Sequence, residues 1–327
     1  MDVIATTISG SIRDWGKVKR IVPLFREHGE EGVTLHEADS HRAARETTCA
    51  LVREGARVVI SAGGSGTFNA VLEGCHDSGV DLAEIRLGFL RKGSADLIGK
   101  TLGMPDEIEA AVEVFVRAVR EGRTVPCDVL EARSEAGDIP ARHFVGYGGA
   151  EIFGSIPRYT ENRFIKYYKG ILGQLFGDLG PFFVGLNLAI AGKLIGRLGR
   201  GKRRWTLEVD DRVAAEGAFQ AVILVNGDLG KDLPFARGVP LGSGDFHVFT
   251  LRDLGIAKLY GQLERAWKAS ILEEPERWGF ESFRVSRRLT IRPADGGSFP
   301  LNVDGSTMAC RGSASVSLTG RIRLLSS

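Results

Sequence analysis

Between Val58 and Gly74 the chain reads VVISAGGSGTFNAVLEG. Three glycines, Gly63, Gly64 and Gly66, fall within four positions; Ser65 and Thr67 place hydroxyls among them, and Asn69 follows. Glycine lets the backbone approach an anion closely, and the free N–H groups of a helix start favour negative charge. The chemistry such a turn supports is phosphate binding. The stretch is not a Walker A loop, since no Gly-Lys-Ser/Thr follows, and it is not a GxGxxG fingerprint. A tight turn that merely needs glycine is the alternative, and these residues alone leave both open.

The elements around the turn would position it. Val58-Val59-Ile60-Ser61 is short, β-branched and charge-free, as in a buried parallel strand, and Asn69, Val71 and Leu72 resume at helical spacing. Upstream, Val3-Ile4-Ala5 reads as a first strand, Val18 to Phe25 as an amphipathic helix and 32–36 as a second strand. Residues 43–54 read as a helix stopped by Gly55. Ile85 to Leu90 continues as a strand, and 107–121 as a helix closed by Gly122. Strand–helix alternation implies a doubly wound parallel α/β sheet, with ligand at the carboxyl ends of its strands.

Ala62 to Gly74 resembles the GGDGT-x-NEV-x-NG block of the diacylglycerol and sphingosine lipid kinases, which share a nucleotide-binding fold with the NAD kinases. TFNAVLEG fits the lipid-kinase branch better. Ser65 stands where that family has aspartate, and Ala70 where it has glutamate. Ser9-Gly10 is similar to its N-P-x-S-G block, without the Asn-Pro pair. Gly93, Ser94 and Asp96 align with P-x-G-T-x-N-D; there Leu97 replaces the Asp, so the carboxylate moves by one residue to Asp96. Asp96 reads either as a relocated functional acid or as a helix cap. His41 lies at a helix start where the family often has histidine; a solvated first-turn residue is the other reading.

After residue 124 the segments read as strands with turns, at 125–132, 143–148, 204–209, 219–226, 245–250, 283–291, 301–304 and 314–318. An antiparallel, sandwich-like β domain over 125–318 is expected, with 319–327 rejoining the first domain, residues 1–124. Tyr147-Gly148-Gly149-Ala150-Glu151, Val225-Asn226-Gly227 and Asn302-Val303-Asp304-Gly305 resemble the family's G-x-G-x-D/A, V-x-N-G and D-G-E blocks. The resemblance implies ATP in a cleft between two domains and Mg2+ held by Asp96 and Asp304. It also implies a catalytic base at Asp304, although Asp-Gly is by itself a common hairpin turn. Ser306 replaces the family's glutamate.

Composition narrows the partners. With 327 residues, 43% hydrophobic and 26% charged, the chain has an ordinary globular balance, and a net charge of +2 argues against a nucleic-acid partner. Four cysteines without CxxC or zinc spacing suggest reduced thiols. No signal-peptide core and no run of ~20 apolar residues is visible, so a cytoplasmic location at the inner membrane face is expected. The insert 161–195 collects Phe164, Ile165, Tyr167, Tyr168, Ile171 and Leu172, a lipid-chain gate or a helical pair packed on the sheet. Arg197, Arg200, Lys202, Arg203 and Arg204 follow, for docking on anionic membrane or as a solvated hairpin tip. The resulting expectation is an ATP-dependent kinase of a diacylglycerol-, sphingoid- or ceramide-like lipid. A non-catalytic nucleotide- or lipid-binding member and an NAD-kinase-type metabolite kinase are the alternatives.

Overall fold

The computed structural model describes residues 1–6, 18–91, 97–160, 186–192 and 201–327. It divides into two compact units, Met1–Val129 with Gly320–Ser327, and Leu130–Thr319. The first dividing line falls inside a strand, five residues beyond the position at which the composition changes.

In the first unit, β1 (Asp2–Thr6), β2 (Thr34–Ala38), β3 (Val58–Gly63), β4 (Arg86–Arg91) and the end of the C-terminal strand form a sheet. Its order is β2-β1-β3-β4-C-terminal strand, and each neighbouring pair is parallel. The helices are α1 (Ile21–Glu27), α2 (His41–Arg53), α3 (Ser65–Asp77), α4 (Leu97–Thr101) and α5 (Ile108–Glu121). Ser40 starts α2 as an N-cap, its Oγ accepting the Ala43 N–H at 3.0 Å. Gly122 ends α5 with a left-handed backbone at φ 67°, where a side chain would be strained. Strand alternation sends Gly63 toward α3 and Ile60 toward Phe115 of α5, so the sheet is covered on both faces. The doubly wound α/β reading is borne out. The strand order reverses between β1 and β3, and the crevice beside such a reversal is the usual ligand position in open parallel sheets.

α2 and α3 lie close enough that a Cβ on Gly74 would stand 2.5 Å from the Arg45 carbonyl oxygen and 2.7 Å from Thr48 Cβ. The Arg45 guanidinium fixes the same pair by gripping both oxygens of Asp77.

The second unit has two antiparallel sheets. One runs β12 (Phe280–Val285), β11 (Phe246–Arg252), β10 (Phe219–Val225), β7 (Tyr147–Glu151), β14 (Phe299–Val303), β15 (Ser306–Cys310). The other runs β16 (Ala314–Leu325), β13 (Arg288–Pro293), β8 (Trp205–Val209), β9 (Arg212–Gly217), with the hairpin of β5 (Thr124–Ser134) and β6 (Arg142–Phe144). Leu207, Leu289 and Ile291 from one sheet and Val222, Phe246 and Leu301 from the other share one buried core. A β-sandwich-like unit was expected, and its two sheets pack in that way.

Two expected strands are each split. Residues 143–148 break between β6 and β7, and 283–291 between β12 and β13. In each case an aspartate side chain takes the amides that a continuous ladder would have used. Two helices, α6 (Ile152–Thr160) and α7 (Ile256–Trp267), also interrupt the strands. α7 is anchored by Gln262, whose buried Nε2 donates to the Arg252 and Trp278 carbonyls at 2.9 and 2.8 Å. Of the apolar insert, residues 186–192 are described and are helical; the rest lies outside the described residues.

Gly74→Ala should destabilise the first unit by about 1–3 kcal/mol through overpacking. Alanine's helix preference, worth ~1 kcal/mol, would offset part of this loss. Urea unfolding measures the result; a neutral or stabilising outcome would show that the two helices separate without cost.

Candidate active site

The glycine turn closes β3 and opens α3. Gly64 is the N-cap, with extended backbone (φ −88°, ψ −173°) and no side chain to occupy the helix end. The amides of Thr67 and Phe68 both donate to the Gly64 carbonyl, at 3.0 and 3.1 Å. Helix geometry leaves the Ser65 and Gly66 amides without an intrahelical acceptor. They therefore point off the end of α3 beside the reversal in strand order. Ser65 is exposed there, whereas Thr67 is fully buried.

The turn is held by the protein's own side chains. Thr67 Oγ1 lies 2.6 Å from Thr6 Oγ1 at the end of β1, and both residues are 0% exposed. A Cβ on Gly63 would stand 2.3 Å from Thr67 Oγ1, and one on Gly66 would stand 2.7 Å from His41 Cε1. Two of the glycines thus make room for neighbours within the fold, not only for a ligand. The exposed His41, first residue of α2, brings an imidazole to the same helix end. Gly63, Gly64, Ser65, Gly66, Thr67 and Asn69 are thus gathered at one place, and Thr6 and His41 join them. Ser9, Gly93, Ser94 and Asp96 lie outside the described residues. Thr6 escaped the sequence reading because threonine at a strand end reads as an ordinary β-former; its only signal was its place just before a small-residue turn.

In the second unit three separated motifs meet. The Asp304 carboxylate accepts the N–H groups of Val145 (3.0 Å), Gly146 (3.2 Å) and Tyr147 (2.7 Å). The Asp304 amide donates to the Tyr147 carbonyl at 2.9 Å. Asn226 donates its backbone N–H to Gly146 O and its Nδ2 to Val145 O, both at 2.8 Å. Asp304 and Gly305, at φ 43° and 81°, form the two-residue turn of the β14–β15 hairpin. Such a turn needs both residues left-handed. Gly148 is required as well, since its Cβ would approach the Asn302 carbonyl oxygen to 2.7 Å.

Burial pushes the Asp304 carboxyl up to about 6, and the three amides act against that rise without cancelling it. Its oxygens are already acceptors. Among the described residues no group of three or more His, Cys, Asp or Glu is placed to hold a metal ion. These residues therefore do not fit a Mg2+ site by themselves, and Asp96 is outside the described residues. No disulfide joins the four cysteines, and burial pushes the Cys75 and Cys310 thiols up to about 12.

Because the folded Asp304 holds its proton up to about pH 6 and an unfolded aspartate only to 3.8, folding is favoured most at low pH. That contribution is lost as pH rises through 6, on the order of 3 kcal/mol in all. The stability difference between wild type and Asp304→Asn should accordingly shift between pH 4 and 6.5 in urea melts. A difference that stays flat over that range would place the carboxyl at its ordinary value.

Residues 2–132 match the model of the diacylglycerol kinase catalytic domain. Over 132 residues the chain is 32% identical to a Cronobacter sakazakii protein named "Probable lipid kinase YegS-like", a match that spans 39% of this chain and 41% of that one. The aligned region is therefore less than half of that relative's length. A diacylglycerol kinase structure from Bacillus anthracis str. Sterne aligns at TM-score 0.61 and 17% identity, covering 100% of this chain and 96% of that one. A second chain from that organism aligns at TM-score 0.69, also at 17% identity, covering 100% and 94%. At that identity the structures speak to the fold alone. Residues 2–132 of the chain are thus similar to the diacylglycerol kinase catalytic domain.

Proposed function

We propose that the protein is an ATP-dependent lipid kinase that phosphorylates a hydroxyl of a diacylglycerol-, sphingoid- or ceramide-like lipid. The observation that carries this reading is the amide-lined end of α3, set at the strand-order reversal inside the matched catalytic domain. The Ser65 and Gly66 amides, the α3 dipole and the His41 ring would hold nucleotide phosphates. Asp304 would accept the lipid hydroxyl proton as the new O–P bond forms and the bond from the γ-phosphorus to the leaving ADP oxygen breaks. With its carboxyl at about 6, Asp304 is ionised at neutral pH and close to the range suited to a general base.

A second reading is a family member that binds nucleotide or lipid without turnover. Ser65, Ala70, Leu97 and Ser306 stand where the resembling motifs have acids, and the Asp304 oxygens are occupied by three amides. A labelled-ATP screen over diacylglycerol, sphingoid and ceramide substrates separates the two. The kinase reading expects transfer that rises with pH through about 6 and is lost in Asp304→Asn with ATP binding kept. Gly64→Val, at a backbone conformation valine can adopt, should abolish ATP binding without unfolding the chain. ATP binding with no transfer to any lipid would support the second reading.

A lipid kinase must reach a bilayer, and no helix among the described residues is long and apolar enough to cross one. The basic stretch at 197–204 would supply the attraction, about 1 kcal/mol per residue near an anionic surface. Arg203 is otherwise engaged: it grips Asp295 and the Ser298 carbonyl and stacks 5.0 Å over Trp205. Replacing Arg197, Arg200 and Arg204 by glutamine should reduce sedimentation with anionic vesicles at low salt, while the Arg203→Gln change should act mainly on stability. Vesicle binding indifferent to both salt and the triple replacement would leave the stretch as a solvated loop.

A further inference from the structure

Thr6 sits at the last position of β1, Gly63 at the last position of β3, and Thr67 in the first turn of α3. These three residues interlock. Thr67 folds over Gly63, where no Cβ leaves it room, and its hydroxyl meets the Thr6 hydroxyl at 2.6 Å with both fully buried. A hydroxyl pair removed from water is directional, and Thr67 loses this partner if the Thr6 hydroxyl is removed. The pair joins the end of β1 to the first turn of α3, which follows β3 across the reversal in sheet order, so it ties the start of α3 to the far wall of the crevice. Successive residues of a helix differ in direction by about 100°, so a small roll of the first turn re-aims its N–H groups. The two amides at stake, Ser65 and Gly66, are the ones that helix geometry leaves without acceptors.

We propose that Thr6 is a positioning residue for nucleotide phosphates, acting through Thr67 to set the direction of the Ser65 and Gly66 amides. This rests on the nucleotide reading given above. Thr6 itself is 0% exposed and would touch no ligand. Its contribution is the fixed orientation of groups that do, and such preorganisation is sensitive to shifts of about 0.5 Å.

Thr6→Val keeps the shape and removes the hydroxyl; Thr6→Ser keeps the hydroxyl. Val112→Ala, in buried α5 on the opposite face of the sheet, is a control for general destabilisation. Three readouts are compared: ATP affinity by calorimetry, melting temperature, and hydrogen exchange at residues 64–68 without nucleotide. Thr6→Val should weaken ATP binding about tenfold, the equivalent of one good hydrogen bond, and should speed exchange at 65–66. Thr6→Ser should stay within about twofold of wild type, and Val112→Ala should lower the melting temperature with affinity unchanged. Normal ATP binding and exchange in Thr6→Val would overturn the assignment, as would a Thr6→Ser variant as weak as the valine. If the wild type itself bound no ATP, the nucleotide reading would fall first and the role of Thr6 with it; normal wild-type binding with an unaffected valine variant would remove Thr6 alone.

Discussion

A backbone N–H taken out of water must find an acceptor, and where the acceptors run out decides the layout of both units. In the first unit the parallel ladder satisfies β1 and β3 up to Thr6 and Gly63, and the chain then turns into α3. The helix absorbs the Thr67 and Phe68 amides at once and leaves two over. A phosphate is well suited to such leftovers, being anionic and rich in acceptor oxygens. Leaving them costs little only if the rest of the turn is fixed, which is what the Thr6–Thr67 pair and the close passage of His41 past Gly66 achieve.

The second unit meets the same need with carboxylates. Asp210 and Asp304 are both left-handed, at φ 49° and 43°, and each accepts three consecutive amides. Their protons differ nonetheless. At Asp210 partial burial works against the amides of Ser286, Arg287 and Arg288, yet those amides and the Arg287 charge prevail and hold the carboxyl below the usual range. At Asp304 complete burial prevails and raises it. The three-amide pattern is the same, so deeper burial at Asp304, together with the Arg287 charge beside Asp210, sets the difference. A turn-forming aspartate does not require that burial, as Asp210 shows.

The architecture was legible because periodicity reports directly on burial. The β-branched run at β3 and the apolar stripe of α5 could hardly be anything else. What periodicity could not report was side-chain competition for the backbone. Residues 143–148 alternate like one strand, and nothing local says that an aspartate 159 residues later takes the amides in their middle. α7 was missed for a related reason: Gln262 occupies a position on its buried face where an apolar residue would have marked the helix. At the site, the glycine turn was visible as a motif, but the partner of Thr67 was not, because the Thr6–Thr67 contact spans 61 residues.

The departures from the family motif act in two directions at once. A carboxylate at the first position of α3 would face incoming phosphate, and serine removes that repulsion while leaving the dipole and the His41 ring in place. The acids that α3 does carry, Glu73 and Asp77, are turned to Arg45 of α2 and serve helix packing. The helix end is therefore better suited to an anion than one carrying an acid. The same change removes a group that could have held a cation against the transferring phosphoryl, where charge develops most. On the proposed reading, Ser65 would thus act on nucleotide affinity and on capacity for transfer in opposite directions. Tight binding of ATP would by itself say nothing about turnover, and on the proposed kinase reading the ionisation of Asp304 would be the variable on which turnover depends.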